Sequence, residues 1–145
     1  MPQVDFYLLQ TGDENTLTQF ACRLTSQIYR SGQHVYLHTN KLSEAQHLDT
    51  LLWQFQPDSF LPHTLLNNDN PEDPNTPISI GFQQTLAKRS GILINLATDV
   101  PKFYSDFERI AEIVINNEAT KAQLREHYRF YQQQQCALKT HKIDL

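Results

Sequence analysis

The stretch VDFYLLQTGDENTLTQFACRLTSQIYRSGQHVYLHT, residues 4–39, decides the fold class. It begins with an apolar run at 4–9 and ends with another at 35–39, and both predict buried strands because they are rich in branched and aromatic residues. Between them, apolar residues at helical spacing predict a helix with one apolar face: Leu17, Phe20, Ala21, Leu24 and Ile28. Strand, helix and strand in this order predict parallel strands joined by a right-handed crossover.

The same alternation continues to about residue 55. Asn15 or Thr16 is expected to cap the first helix, and Gly32 to end it, because glycine readily adopts the left-handed conformation found after helices. A second helix is predicted to open at Ser43 or just before it. Its apolar side consists of Ala45, Leu48, Leu51, Leu52 and Phe55.

The second half of the chain is less regular. Prolines predict an extended segment at 57–63 and an exposed loop at 67–77, which also holds four asparagines and three acidic residues. The remaining predicted elements are strands at 78–80 and 92–96 around a turn at 88–91, a helix beginning with Phe103, Phe107 and Ile110, one last strand at 113–115, and a final helix from Thr120 to about Gln134. We expect one α/β domain over residues 1–145, with a mainly parallel sheet between two helical layers, similar to a Rossmann fold.

Length, hydropathy and cysteine content limit the class of protein. A chain of 145 residues can bury its own core, and no apolar run reaches the roughly 18 residues needed to cross a bilayer. The N-terminus shows no signal peptide. Cys22 and Cys136 lie far apart, without the spacing of a metal or redox motif. These features predict a cytoplasmic protein with no membrane contact.

Charge is distributed unevenly along the chain. From residue 119 onwards there are five basic and two acidic residues, so this segment carries +3, whereas residues 1–118 carry −7. The net charge of −4 argues against a protein that coats nucleic acid by itself. A basic segment on an acidic body suggests a local anion site, although a solvated helix with this charge pattern by chance explains the composition equally well.

The loop after the first strand argues against nucleotide binding. A phosphate-binding loop requires several glycines, so that backbone N–H groups can surround the anion, and usually a lysine. Residues 10–15 hold one glycine, Gly12, and the carboxylates of Asp13 and Glu14, which would repel a phosphate. We therefore expect a fold without a phosphate-binding loop, and a small nucleotide-binding α/β enzyme is the less favoured alternative.

No constellation of catalytic or metal-binding residues is found in the sequence. His34 and His38 would lie about 13 Å apart on one strand face, too far to share an ion easily. The other histidines fall singly on unrelated elements, where ordinary polar roles are favoured. Neither cysteine lies in an activating motif, and no nucleophile elbow occurs. We expect no metal, no cofactor and no catalytic activity.

The final helix offers one candidate binding surface. Lys121, Arg125 and Arg129 follow each other at intervals of four residues, and Tyr128 adds an aromatic ring to this stripe of cations. Guanidinium groups beside an apolar wall suit an acidic peptide with a hydrophobic end or a free carboxylate. Single-stranded nucleic acid would use similar residues, but the −7 body favours a peptide. The competing interpretation is a solvated helix face with Tyr128 and Phe130 turned into the core.

The second helix and the segment after it offer another surface. Residues 51–55 put four large apolar side chains in five positions, so at least one of them must point away from the main core. Phe60 and the residues up to His63 could extend this patch, and aromatic anchors of this kind dominate stable interfaces. The residues alone are equally compatible with Trp53 filling the core beneath the proline-rich segment.

Short motifs spread over nearly the whole chain resemble the chi subunit family of bacterial DNA polymerase III. They are Phe6-Tyr7-Leu8-Leu9, Arg30-Ser31-Gly32, Leu48-Asp49, Leu52-Trp53, Ser59-Phe60, Pro62-His63, Ile92-Leu93-Ile94 with Leu96, and Lys121, Leu124-Arg125-Glu126, Tyr128 and Tyr131. Phe82, Gln83, 132–135 and 141–145 depart from the family pattern. The resemblance implies a clamp-loader-associated accessory subunit in DNA replication, Rossmann-like without the phosphate loop and without an activity of its own.

The resemblance also implies partners at the two surfaces. The psi subunit, which links chi to the clamp loader, would bind the hydrophobic surface formed by Trp53, Phe60, Leu52, Pro62 and His63. The acidic C-terminal tail of single-stranded-DNA-binding protein, which ends in an aromatic residue and a carboxylate, would bind Lys121, Arg125, Tyr128, Arg129, Leu124, Tyr131, Leu138 and Thr140. A helicase-like repair protein would compete for the psi-facing surface. Contact with DNA would be indirect, at replication forks.

Overall fold

The computed structural model describes residues 2–55, 62–65, 77–82 and 91–143. In chain order, the described elements are β1 (Gln3–Leu9), α1 (Glu14–Arg30), β2 (Val35–Thr39), α2 (Leu42–Phe55), β3 (His63–Leu65), β4 (Ile78–Phe82), β5 (Ile92–Asn95), a 3-10 helix (Tyr104–Asp106), β6 (Arg109–Val114), α3 (Glu118–Gln133) and β7 (Ala137–Ile143). The alternation of strands and helices predicted from residues 4–55 is confirmed.

The described strands form one sheet in the order β3-β4-β2-β5-β6-β1-β7. Every neighbouring pair in it is parallel. The N-terminal strand β1 lies between β6 and β7, so α3 leaves β6, passes β1 and returns to β7. Because β6 and β7 are parallel, α3 runs opposite to the strands, and its first turn lies at their carboxyl ends.

Alternate side chains of the strands enter two separate cores, one on each face of the sheet. Val35 and Leu37 of β2 belong to the core that α1 and α2 cover. Tyr36, between them, belongs to the opposite core, together with Phe107 and with Tyr131 of α3. The predicted three-layer arrangement, with helices on both faces of a parallel sheet, is confirmed.

The ends of α1 follow the expected chemistry with one change of residue. Asp13, not Asn15 or Thr16, is the N-cap, and its carboxylate accepts a hydrogen bond from the Asn15 backbone N–H at 2.9 Å. At the other end Gly32 has a φ of +88°, which is the predicted left-handed conformation. The first loop therefore uses its carboxylate to begin a helix.

The helix predicted from Phe103, Phe107 and Ile110 is wrong. A 3-10 helix of three residues ends at Asp106, and β6 begins at Arg109. The spacing of the three apolar residues imitates a helix, but Phe107 and Ile110 enter the α3-side core from a loop and a strand. The strand predicted at 113–115 coincides with the last two residues of β6, which ends at Val114, and the branched residues there favour a central strand.

Strand β7 was missed by the sequence analysis. Residues 137–143 read ALKTHKI, and no residue in them is buried. A strand at the edge of a sheet needs no continuous apolar run, because only one of its sides pairs and its faces are partly solvated. The strand forms because Ala137 to Ile143 hydrogen-bond to β1, and the pattern of apolar residues in this segment does not indicate it.

Several predictions fall outside the described residues. These are the extended segment before residue 62, the loop at 67–76, the turn at 88–90 and the partner-binding role of Phe60. Of the described helices, none has the length and apolar content required to span a bilayer.

Candidate functional site

A crevice of about 640 Å³ lies at the carboxyl ends of the central strands, where α/β proteins of this topology commonly bind ligands. Its polar groups are largely occupied by each other. The Asn40 side chain accepts from the Thr98 backbone N–H at 2.8 Å, and the Glu44 carboxylate accepts from the Asn40 backbone N–H at 3.0 Å. Asn95 donates to Glu112 at 2.9 Å and accepts from the Ala97 backbone at 3.1 Å. These hydrogen bonds join neighbouring loops, and they use the polar groups that would otherwise bond to a ligand.

The buried carboxylate of Glu112 on β6 organises the base of this crevice. Its Oε2 accepts from the hydroxyl of Tyr131 at 2.7 Å, and its Oε1 lies 3.0 Å from Nδ1 of His127. Nε2 of His127 lies 2.8 Å from the Thr98 carbonyl oxygen, which can only accept. With an acceptor at each ring nitrogen, the imidazole is held as a cation beside the carboxylate.

The pKa of His127 follows from this arrangement. Burial lowers the pKa of the imidazole, but the hydrogen bond and the charge of Glu112, together with the Thr98 carbonyl and Asp99, outweigh burial and raise it above its ordinary value of 6.5. Burial is also the largest cause of the raised pKa of Tyr131. Glu112 was not among the residues predicted from the sequence, although an acidic residue inside the apolar run 110–115 is itself a signal of a buried polar contact.

This network fixes the rotation of α3. His127 and Tyr131 are one turn apart and both buried, so the face that carries them is turned to the sheet. Asn117 caps the helix by accepting from the Thr120 backbone N–H at 2.9 Å. Because His127 and Tyr131 turn one face of α3 towards the sheet, Arg125 and Arg129 are exposed on the opposite face. The cationic stripe predicted from the sequence is therefore on the surface.

A cleft of about 420 Å³ opens between α3 and β7, and five of the predicted residues line it. They are Leu124, Arg125, Tyr128, Arg129 and Thr140. Tyr128 is 39% exposed, and its ring lies 5.5 Å from the ring of Phe6 on β1, measured between centroids. The cleft thus combines two guanidinium groups with an aromatic wall and an apolar floor. Tyr128 is not turned into the core, whereas the neighbouring Phe130 is partly buried against it.

The other three predicted residues of this surface lie outside the cleft lining. Tyr131 is completely buried and bonded to Glu112, so it supports α3 from beneath. Leu138 of β7 is partly buried against the α3-side core. Lys121 lies one helical turn before Arg125, at the N-terminal end of the same stripe, and is half-buried. Within the described residues, none of the ion pairs involves Lys121, Arg125 or Arg129.

Trp53 is the most exposed large apolar side chain of the described residues, at 55%. Its ring meets the ring of His63 on β3 edge-on, with centroids 4.7 Å apart. Nε2 of His63 lies 3.1 Å from a carboxylate oxygen of Asp49, one turn before Trp53 on α2. The buried His63 ring therefore holds the indole on the surface from its inner side.

The remaining predicted residues of the psi-facing surface differ in position. Leu52 is 2% exposed and belongs to the core under α2, so it cannot itself reach a partner. Pro62 is half-buried directly before β3. Phe60 lies outside the described residues. The described part of the surface consists of Trp53 with its supports, and it is adjacent to β3, at the opposite end of the sheet from β7.

Metal chemistry has little support in the described part of the chain. No group of three or more His, Cys, Asp or Glu side chains there is placed to hold an ion. His38 lies in β2, where its ring meets that of Phe103 edge-on at 5.2 Å, and His34 precedes the strand. Burial raises the pKa of the Cys22 thiol to about 11, which opposes thiolate formation at neutral pH.

Comparison with known proteins identifies the family. Residues 1–139 match the family model described as DNA polymerase III chi subunit, HolC. DNA polymerase III subunit chi of Pseudomonas aeruginosa is 34% identical over 143 residues, which cover 99% of this chain and 98% of the relative. The chi subunit of Haemophilus influenzae is 34% identical over 95% of each chain, and that of Escherichia coli is 29% identical over 90% of this chain and 91% of its own. The chain therefore belongs to the DNA polymerase III chi subunit family, an accessory subunit family of the replicative polymerase.

Proposed function

We propose that this chain is a non-catalytic adaptor that binds the psi subunit through the Trp53 surface and the acidic tail of single-stranded-DNA-binding protein through the cleft between α3 and β7. One observation carries the proposal: the cleft joins the guanidinium groups of Arg125 and Arg129 to the ring of Tyr128. It would link the clamp loader to protein-coated single strands at replication forks in the cytoplasm.

The chemistry of the cleft suits the end of an acidic peptide better than a nucleic acid. A terminal carboxylate can accept paired hydrogen bonds from a guanidinium group, which are roughly twice as strong as neutral ones. An aromatic side chain next to that carboxylate would rest against Tyr128 and Leu124. A long polyanion would also meet the −7 charge of residues 1–118, whereas a short tail meets only the +3 segment.

The Trp53 surface suits a stable hydrophobic interface. An exposed indole held from behind by the buried His63 loses little conformational freedom on binding, which favours affinity. Aromatic anchors of this kind often contribute about 2 kcal/mol or more to an interface. A helicase-like repair protein that used Trp53 would exclude psi, because both would cover the same side chain.

The two surfaces are far enough apart for simultaneous use. Trp53 contacts His63 of β3, and the tail cleft is lined by Thr140 of β7. These strands are the two outer strands of the described sheet, separated by six strand spacings. At about 4.8 Å for each spacing, the separation is about 29 Å. Two partners bound at these edges would therefore not touch the same residues.

The alternative, a small nucleotide-binding enzyme, has weaker support. Gly12 approaches the Asn116 carbonyl so closely that a Cβ atom would lie 3.0 Å from its oxygen, which leaves no room for a phosphate between them. The Asp13 carboxylate already caps α1. Thermal melting with millimolar ATP, GTP or NAD should show no stabilisation, whereas a clear rise in Tm would revive the enzyme hypothesis. A labelled oligonucleotide should likewise show no binding to the chain alone.

The proposed tail site is tested with a short acidic peptide that ends in phenylalanine. Fluorescence anisotropy should detect its binding, and the same peptide without the final phenylalanine should bind at least about tenfold more weakly, since burying one aromatic side chain contributes roughly 1.5–3 kcal/mol. Equal affinity for the two peptides would show that the cleft does not take an aromatic end, and the proposal for this surface would then fail.

A further inference from the structure

We infer that the proposed tail site continues beyond the cleft to Lys142 on β7, and that this lysine receives an acidic side chain of the peptide upstream of its aromatic end. The inference rests on the proposed function and gives that site a direction. Lys142 is absent from the residues that the family resemblance brings to the tail site, and residues 141–145 depart from the family pattern.

The register of β7 determines which side Lys142 faces. Thr140 pairs with Phe6 and Lys142 with Leu8 of β1, while Lys139 pairs with Asp5. Because side chains alternate along a strand, Thr140 and Lys142 lie on one face of the sheet and Lys139 on the other. Thr140 lines the cleft against α3. Lys142 therefore lies on the cleft side, and Lys139 lies on the α1 side, as does its β1 partner Asp5.

The position of Lys142 along the strand direction follows from the advance per residue in strands and helices. Two strand residues advance about 6.6 Å, which is close to the roughly 6 Å that four residues advance along a helix. The helix runs opposite to β7, so moving from Thr140 to Lys142 corresponds to moving from Arg129 towards Arg125 and Lys121. Lys142 is thus level with the first half of the cationic stripe. Lys121 on α3 and Lys142 on β7 therefore lie beyond the cleft, towards the carboxyl ends of the strands.

The positive charge of these two lysines indicates which kind of peptide side chain would bind next to them. Lys142 is exposed and Lys121 is half-buried, and both follow the cleft lined by Arg125 and Tyr128 towards the carboxyl ends of the strands. None of the ion pairs within the described residues involves Lys142. A peptide whose aromatic end occupies the cleft and whose chain runs towards the carboxyl ends of the strands would present its residue two or three positions upstream to Lys142. An acidic side chain at that position fits two flanking ammonium groups.

The test compares Lys142→Ala with Lys139→Ala, which remove the same charge from the same strand on opposite faces. In anisotropy titrations with the acidic peptide ending in phenylalanine, Lys142→Ala should weaken binding about fivefold and Lys139→Ala less than twofold, the scale of one exposed ion pair. A peptide with asparagine at the second and third positions before phenylalanine should bind the wild-type and Lys142→Ala proteins equally.

The outcomes separate the inference from the proposed function. If the wild-type chain binds the peptide and Arg125→Ala weakens it, but the two lysine variants behave alike, only the role of Lys142 is overturned. If the wild-type chain does not bind the peptide, both the tail site and its extension are overturned. Equal melting temperatures of the two variants would show that neither substitution acts through stability.

Discussion

Nδ1 of His127 on α3 lies 3.0 Å from Oε1 of Glu112 on β6, and this buried pair attaches the candidate binding helix to the sheet. Tyr131, one turn further along α3, donates its hydroxyl to the other oxygen of the same carboxylate at 2.7 Å. The orientation of the exposed cationic stripe is therefore a consequence of contacts on the hidden side of the helix.

Glu112→Gln is expected to lower the free energy of unfolding by about 2–4 kcal/mol, because it removes the charge opposite a buried imidazolium and leaves that cation without its counter-ion. Urea unfolding followed by circular dichroism measures the change. Glu126→Gln, an exposed change on the same helix, is the matched control and should alter stability by less than about 0.5 kcal/mol. Similar small losses for both variants would mean that the pair does not anchor α3.

The same pair predicts how stability depends on pH. The pKa of His127 in the folded protein is raised above 6.5, so the unfolded chain loses its proton first as pH increases. The stabilisation is complete below about pH 6.5 and is lost as pH rises through the folded pKa. Urea midpoints between pH 6 and 9 should fall for the wild type and fall less for His127→Gln. An identical slope in the two proteins would contradict the assignment.

The ionisation of Asp5 changes stability only at acid pH, so it does not affect the urea midpoints measured between pH 6 and 9. Burial raises the pKa of this carboxyl, but hydrogen bonds from His141, Arg109 and Gln3 outweigh it, and the folded pKa is lowered below 3.8. Its contribution is present above that ordinary value and lost as pH falls through the folded pKa. Asp5 and His127 therefore affect stability at opposite ends of the pH range.

Arg125→Ala is expected to weaken binding of the acidic tail peptide by about 1.5–3 kcal/mol, the usual contribution of a hydrogen bond to a charged group. Anisotropy titrations at several salt concentrations should also show affinity falling as salt rises, because the ligand is anionic. Arg23→Ala removes an exposed cation from α1, away from the cleft, and should leave affinity nearly unchanged. Unchanged affinity for both Arg125→Ala and Lys121→Ala would refute the tail site.

Trp53→Ala is expected to abolish co-purification with the psi subunit and to leave tail-peptide binding intact. The indole is more than half exposed, so its removal should cost little stability, and circular dichroism should show an unchanged fold. Simultaneous loss of both binding activities in a folded variant would refute the separation of the two surfaces.

Hydrophobic periodicity predicted most of the fold and failed where tertiary contacts replace it. The strand at 35–39 is buried throughout and the strand at 4–9 is mostly buried, so their composition alone identifies them. By contrast β7 exists because β1 offers it a hydrogen-bonding edge, and Phe107 and Ile110 imitate helical spacing while belonging to a loop and a strand. Local sequence carries little information about either relationship.

The candidate cleft was predictable in part for a similar reason. A spacing of four residues on one helix brings Arg125 and Arg129 together, so the sequence alone indicates the stripe. Thr140 was assigned to the site through family resemblance, since no spacing rule connects it to α3. Tyr131 shares the same motif but is completely buried, because Glu112 draws its hydroxyl inwards. Tyr128 and not Tyr131 is therefore exposed because of a contact between α3 and β6, which the sequence of α3 alone does not reveal.

The bridging role is tested most directly by measuring the affinity of the acidic tail peptide for the chain alone and for the chain saturated with the psi subunit. Binding sites about 29 Å apart that share no residue should be nearly independent. Isothermal titration should therefore give dissociation constants that agree within about twofold, with one peptide bound to each psi-containing complex. Loss of peptide binding when psi is present would contradict an adaptor that holds both partners at once.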